Sequence, residues 1–310
     1  MRRTTMLVTS LLITSSLSGC ASTFDLQGHR GARGLMPENT LPAFAKALEI
    51  GVTTLELDTL VTKDGVVVIT HDATLNPDLV RLPGGKWLEI PANKGPSIYS
   101  LTFAELQQYD VGRLKPGTKY ADRYPQQVAV DGTRIPRLAE LFAQVRQSGN
   151  ERVRFNIETK ISPFERDATP GPEAFVDALL GVITAEKMRS RVTIQSFDWR
   201  TLKIVQQRAP DIPTVYLSAQ QKLLDTINAE GREGSAWTAG LKAAGGAVWA
   251  PYFGDIDQAK VLDAQTLGLK VIVWTVNAAA DIERMLDWKV DGIISDYPNR
   301  VREAMKKRGM

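Results

Sequence analysis

The chain has 310 residues, 43% of them hydrophobic and 24% charged, with a formal net charge of +3. That balance belongs to a globular protein with a substantial core and argues against a disordered chain or a multi-pass membrane protein. Basic residues are scattered or gathered at the ends, as in MRR and KKRGM, rather than forming one stripe, so no nucleic-acid partner is expected. Cys20 is the single cysteine, which rules out an intrachain disulfide, and His29 and His71 are the only histidines.

Residues 1–20, MRRTTMLVTSLLITSSLSGC, combine a positive start, an apolar stretch and small residues before the cysteine, the layout of a secretory signal. The apolar stretch MLVTSLLI is too short to span a bilayer, which takes ~20 apolar residues. Leu17-Ser18-Gly19-Cys20 resembles a bacterial lipobox, which implies lipidation of Cys20 as the first residue of the mature chain. The expected organisation is a signal peptide over 1–19, a lipidated tether over 20–25 and one domain over 26–303. The protein is expected in the bacterial cell envelope, exported and anchored to a membrane by its lipid, on the periplasmic or surface side.

The domain opens with a strand running into a turn over residues 26–31. In PENTLPAFAKALEIG, Asn39 reads as an N-cap, Leu41, Phe44, Ala45 and Leu48 fall at helical spacing, and Gly51 is a stop. TTLELDTLV, the turn KDG and VVVITHD follow. Residues 74–137 break the rhythm with NPDLVRLPGGKW, PANKGPS, RLKPGTKY and VDGTRIP, text that marks an insertion. Within it only SLTFAELQQYD reads as helical, capped by Ser100 or Thr102.

Strand and helix then alternate from RLAELFAQVRQSG to VDGIISDYP, including a helical stretch ahead of GGAVWAPYF. The strands are continuous β-branched runs, as expected of a parallel sheet buried on both faces. The pattern predicts a single (β/α)8 TIM barrel with an insertion after the third strand, a doubly wound open sheet being the alternative. Nine strand-like runs compete for the eight places of the barrel, so one must be an edge or return segment.

In such a barrel, functional side chains sit at the carboxyl ends of the strands. The first run ends in His29-Arg30-Gly31, the second carries Glu56 and Asp58, the third ends in His71-Asp72 and the fourth in Glu158-Thr159-Lys160. Residues two apart on a strand share a face, which pairs Glu56 with Asp58 and Glu158 with Lys160. Three converging carboxylates repel and desolvate unless a cation neutralises them, and oxygen-only ligands favour one divalent cation, Ca²⁺ or Mg²⁺, over zinc. An acid pair on a strand also suits a salt-bridged edge, and a lone histidine a hydrogen-bonded core position. Chemistry is favoured because both histidines fall beside the acid pair in sequence, each at a strand end. Lys160 also suits a plain charge partner of Glu158. Asp72 and Asp296 read as turn formers, and Trp274 as a strand aromatic with a pocket wall as its second reading.

HRG, PENT, ELD, HD, IETK, SFD, WTVN and DGIISDYP, in this order from residue 26 to about residue 300, resemble the glycerophosphodiester phosphodiesterases. The resemblance implies a barrel with an insertion after the histidine-bearing third strand, and a Ca²⁺ or Mg²⁺ site from Glu56, Asp58 and Glu158. It further implies His29 and His71 as acid and base, Arg30 and Lys160 on the substrate phosphate, and release of glycerol 3-phosphate and a head-group alcohol. One departure stands out. Many members continue after the second histidine as L-x-R-T-T, whereas this chain reads Leu75-Asn76-Pro77-Asp78 with Arg81 further on, on the head-group side.

The residue types suit that chemistry. Hydrolysis of a phosphodiester needs charge against the phosphoryl oxygens, an activated oxygen nucleophile and a proton for the leaving alkoxide. A cation with Arg30 and Lys160 would meet the first need and two imidazoles the others, while Gly28 and Gly31 leave room for turning and close phosphate approach. The alternatives are a lysophospholipase D-like phosphodiesterase acting on lipids, and a non-catalytic surface binding lipoprotein on the same barrel. For the attacking oxygen, the substrate's own glycerol 2-hydroxyl is expected ahead of direct attack by water, since intramolecular attack carries effective molarities of roughly 10⁵ M or more.

Overall fold

A computed structural model describes residues 24–91, 94–161, 167–221, 224–225 and 245–310. Cys20, the signal and the helical stretch ahead of GGAVWAPYF lie outside the described residues.

Eight parallel strands close a barrel: β1 (Asp25–Gly28), β2 (Thr54–Val61), β4 (Arg154–Thr159), β5 (Val192–Ser196), β6 (Thr214–Ser218), β9 (Val248–Pro251), β10 (Lys270–Val273) and β11 (Gly292–Ser295). Closure comes from β1, which pairs with β11 at Gly28↔Ser295 and with β2 at Gly28↔Leu55. The supernumerary run of the sequence is β3 (Val67–Ile69), which lies antiparallel on β2 with Leu60 opposite Val68. It is the edge segment that nine runs for eight places require. Its connection from β2 is a tight turn through Gly65, φ +79°, and a parallel crossover needs about a dozen residues or more. A further short hairpin, β7 (Gln220–Gln221) with β8 (Leu224–Asp225), stands apart from the barrel.

Helices α1 (Leu41–Ile50), α4 (Leu138–Gln147), α5 (Pro172–Ala185), α6 (Trp199–Arg208), α7 (Gln258–Thr266), α8 (Ala279–Asp287) and α9 (Pro298–Lys307) pack on the outside. The cap of α1 is Thr40, whose hydroxyl accepts from the Ala43 amide, and not Asn39. Asn39 instead adopts a left-handed backbone, φ +55°, that turns its side chain away from the helix start.

Alternation along the strands divides the core in two. Leu55 and Leu57 of β2, Trp249 of β9 and Ile293 of β11 join the cluster shared with the helices. The barrel interior is apolar on one side, with Val215, Leu217, Val248, Ala250, Ile272 and Ile294. On the other side it is polar and internally satisfied: Asn156 donates to Gln27 and Gln195, and Gln195 to Glu56.

After β3 the chain leaves the alternation until α4. The excursion holds α2 (Phe103–Leu106) and α3 (Lys119–Arg123), capped by Thr102 and Thr118. Arg81 and Arg113 share Asp131, Arg81 also binds Asp110, and Leu75, Val80, Ile98, Leu106 and Ile135 anchor the segment in the main core. Among the described residues no helix is long and apolar enough to cross a membrane.

Candidate active site

Glu56 and Asp58 emerge from β2 and Glu158 from β4, whose register sets Asp58 directly beside Glu158. All three are buried, at 2%, 1% and 6% exposure, and one carboxylate oxygen from each lies within 4.8 Å of the others. Their outer contacts are specific. The Arg30 amide donates to Glu56 Oε2 at 2.9 Å and Gln195 Nε2 to Glu56 Oε1 at 2.6 Å. Asn39 Nδ2 donates to Asp58 Oδ2 at 2.9 Å, with Arg30 Nε 3.2 Å from the same oxygen, and Lys160 Nζ donates to Glu158 Oε1 at 2.9 Å.

Electrostatics identify what this cluster suits. Burial pushes the Glu158 carboxyl up to about 7, Lys160 pulling it down and Asp58 raising it further. Burial and the charge of Asp58 also hold Glu56 well above the ordinary carboxyl range. For Asp58 burial acts upward too, but the charges of Arg30, His71 and Lys160 prevail and keep it below that range. Only one of the three acids thus ionises readily. A hard divalent cation among oxygen-only donors would ionise all of them, so the donor set fits Ca²⁺ or Mg²⁺.

The histidines meet this cluster from different partners. His29 Nε2 is 3.9 Å from Glu56 Oε2, while its Nδ1 is 2.6 Å from Asp296 Oδ1. Burial opposes ionisation of Asp296, but Arg33 and His29 hold it below the ordinary range; an ionised carboxylate only accepts, so Nδ1 carries the proton and Nε2 the lone pair. Burial and Arg33 lower the His29 pKa to about 4 against the pull of Asp296. His71 Nδ1 contacts Asp72 Oδ1 at 2.7 Å and its Nε2 lies 3.1 Å from Lys160 Nζ. Burial, Arg30 and Lys160 lower the His71 pKa.

Of the predicted site residues within the described chain, Arg30 and Lys160 bond directly to this cluster, His29 lies 3.9 Å from Glu56, His71 reaches it through Lys160, and Trp274 stands apart from it. Trp274 is half-buried, edge-on to Phe197 at 5.4 Å and to Tyr252 at 5.5 Å, and Phe197 lies 5.9 Å from Lys160 Nζ. Asp296 is the main correction: it is no mere turn former, since it binds His29, Arg33 and Asn277. Asp72 likewise orients His71 and is itself held by Asn76. Sequence reading also passed over Arg33, Glu38, Asn39, Tyr120 and Gln195 as site residues. Glu38 and Asn39 were visible only as part of PENT, and nothing local distinguishes Tyr120. Gly28 and Gly31 are required by packing: a Cβ on Gly28 would lie 2.1 Å from the Gly31 carbonyl oxygen, and one on Gly31 2.7 Å from the Ala43 backbone.

A relative from Caldanaerobacter subterraneus, a glycerophosphodiester phosphodiesterase, is 31% identical over 91% of this chain and 97% of its own. One of the same name from Bacillus subtilis is 29% identical over 90% and 85% of the two chains. Among solved structures, a phosphodiesterase from Oleispira antarctica in complex with the product sn-glycerol-3-phosphate superposes with a TM-score of 0.68 at 25% identity, covering 90% of this chain and 96% of its own. A protein from Silicibacter pomeroyi reaches 0.86 at 36% identity over 94% and 95%. A model of the Glycerophosphoryl diester phosphodiesterase family matches residues 29–300, from His29 to the start of α9, and the chain belongs to that family.

Proposed function

We propose that this enzyme hydrolyses glycerophosphodiesters to glycerol 3-phosphate and an alcohol, with His29 and His71 exchanging protons beside a divalent cation held by Glu56, Asp58 and Glu158. The observation that carries the reading is the meeting of two imidazoles, each oriented by a carboxylate, with a buried acid triad and the side chains of Arg30 and Lys160. The bound cation would neutralise the carboxylates and add positive charge for the phosphoryl oxygens.

Arg30 and Lys160 would bind the phosphate. Arg30 spends Nη1 on Glu38 and turns Nε toward Asp58, and its Nη2 donates to no protein group among the described residues, leaving it for a phosphate oxygen. Lys160 connects Glu158 to His71, so a phosphate on its ammonium lies within reach of that imidazole. One imidazole, entering neutral, takes the proton of the glycerol 2-hydroxyl as that oxygen attacks phosphorus, and the other, entering as imidazolium, protonates the departing alcohol as its P–O bond breaks. The two then exchange roles as water opens the cyclic phosphate. Phe197, Trp274 and Tyr252 offer an apolar wall for carbon atoms of the substrate. Export and lipid anchoring at Cys20 in the bacterial envelope complete the proposal, supported by the signal-like start and the lipobox-like LSGC.

The test is a cation-replete assay of glycerol 3-phosphate release from glycerophosphocholine, glycerophosphoethanolamine and glycerophosphoglycerol. At least one should turn over, and chelation should stop it until Ca²⁺ or Mg²⁺ is restored. Binding of a diester without release would instead favour a non-catalytic binding protein, and full activity of Glu158→Gln after exhaustive chelation would remove the metal from the scheme.

A further inference from the structure

The insertion reaches Glu38, the partner of Arg30, through one hydroxyl. Tyr120, on α3, donates from Oη to Glu38 Oε2 and lies 3.4 Å from Arg33 Nη1, whose N–H it accepts. The other oxygen of Glu38 accepts from Arg30 Nη1 at 2.6 Å. Arg33 continues to Asp296 through Nε at 2.9 Å and Nη2 at 3.2 Å. The Tyr120 hydroxyl therefore stands between two guanidinium groups, one leading to Asp58 and the other to the carboxylate that orients His29. Arg30 and Arg33 are each 8% exposed and Glu38 9%, so water offers little substitute for a lost partner.

The position of Arg30 depends on a balance between two acids. Glu38 holds Nη1 on one side, and Asp58, a member of the acid triad, faces Nε at 3.2 Å on the other. A Glu38 carboxylate with both oxygens engaged cannot rotate without breaking a charge-assisted hydrogen bond. With Oε2 released, Glu38 swings and Arg30 can move toward Asp58, away from the phosphate. Tyr120 is well placed to prevent this, because its ring packs against Tyr124 at 5.5 Å and Thr118 caps its helix. The hydroxyl is thus delivered from a fixed ring.

We infer that Tyr120 of the insertion is a positioning residue for Arg30, acting through Glu38 to keep the guanidinium aimed at the substrate phosphate. This rests on the reading of Arg30 as a phosphate ligand. It gives the insertion a part in the barrel's chemistry in addition to its packing against the core. Tyr124 supports the same device from the other side, its ring lying 4.8 Å from the Arg33 guanidinium carbon.

Titration calorimetry of sn-glycerol 3-phosphate into the cation-loaded full chain tests this, with thermal melting alongside. Tyr120→Phe keeps the ring and removes only the hydroxyl, and should weaken binding about tenfold or more while the melting temperature changes little. In an Arg30→Lys background the same exchange should add less than about twofold, since the residue it acts through is gone. An affinity of Tyr120→Phe within about twofold of wild type overturns the inference, as does an undiminished effect without Arg30. A lower melting temperature with unchanged affinity would assign Tyr120 to insertion packing alone. If Tyr120→Phe does not fold, Glu38→Gln interrogates the same link and must weaken glycerol 3-phosphate as much; unchanged affinity there also overturns it. Wild-type protein that binds no glycerol 3-phosphate would instead fail the underlying phosphate-site reading, and this inference with it.

Discussion

Asp296 Oδ1 lies 2.6 Å from His29 Nδ1, joining residues 267 positions apart at the seam where β11 meets β1. The carboxylate sets the imidazole tautomer and stabilises the ring when it takes a proton. Asp296→Asn should therefore lower kcat by about 10²-fold or more with a smaller change in KM. Loss of the buried partner of Arg33 should also cost about 3 kcal/mol of stability, which melting will reveal. A variant with wild-type kcat would deny His29 its proton-transfer role.

Cation binding should weaken as pH falls through about 7, the value to which burial pushes Glu158. Its folded pKa lies above the ordinary 4.5, so the metal-free folded protein holds that proton more tightly than the unfolded chain does. The stability from this group is complete below pH 4.5 and lost as pH rises through about 7. A cation must displace the proton, so Glu158 alone should make affinity drop about tenfold per pH unit below 7, and the raised Glu56 steepens the fall. The rise in melting temperature caused by Ca²⁺ or Mg²⁺ should accordingly be larger at pH 8 than at about pH 5.5. An equal rise at both values counts against Glu158 as a ligand.

The internal nucleophile makes a demand on the substrate. A diester whose glycerol 2-hydroxyl is replaced by hydrogen should bind and turn over at least about 10³-fold more slowly than its parent. Comparable kcat for the two would replace this route by direct attack of water on phosphorus.

Cys20→Ser should move the protein from the membrane fraction to the soluble one. Among the described residues no helix could span a bilayer, and a lipid chain on Cys20 would supply the missing apolar anchor. A variant that still sediments with membranes after a salt wash is held by something else.

Local sequence alone determined most of the barrel, because parallel strands buried on both faces must be continuous apolar runs and their helices must carry one apolar face. It also determined Glu56, Asp58 and Glu158 as a cluster, since a two-residue spacing on a strand places side chains on one face and barrel strands share one functional end. Composition did not mark the run outside the barrel, since VVVITHD resembles its neighbours; the local mark was the turn KDG before it, too short for a parallel crossover, which forces the run antiparallel on β2. The same limit applies to the supporting shell. Asp296 before Tyr297-Pro298 has the local chemistry of a turn, and Asn39 that of a helix cap. Their partners, His29 and Asp58, come from elements brought alongside only by barrel closure and by a left-handed backbone. Tyr120 carries no local signal at all, because its meaning lies in docking the insertion over Glu38. Periodicity and spacing record what one element does with its own faces, whereas a hydrogen bond between distant elements exists only once the chain has closed on itself.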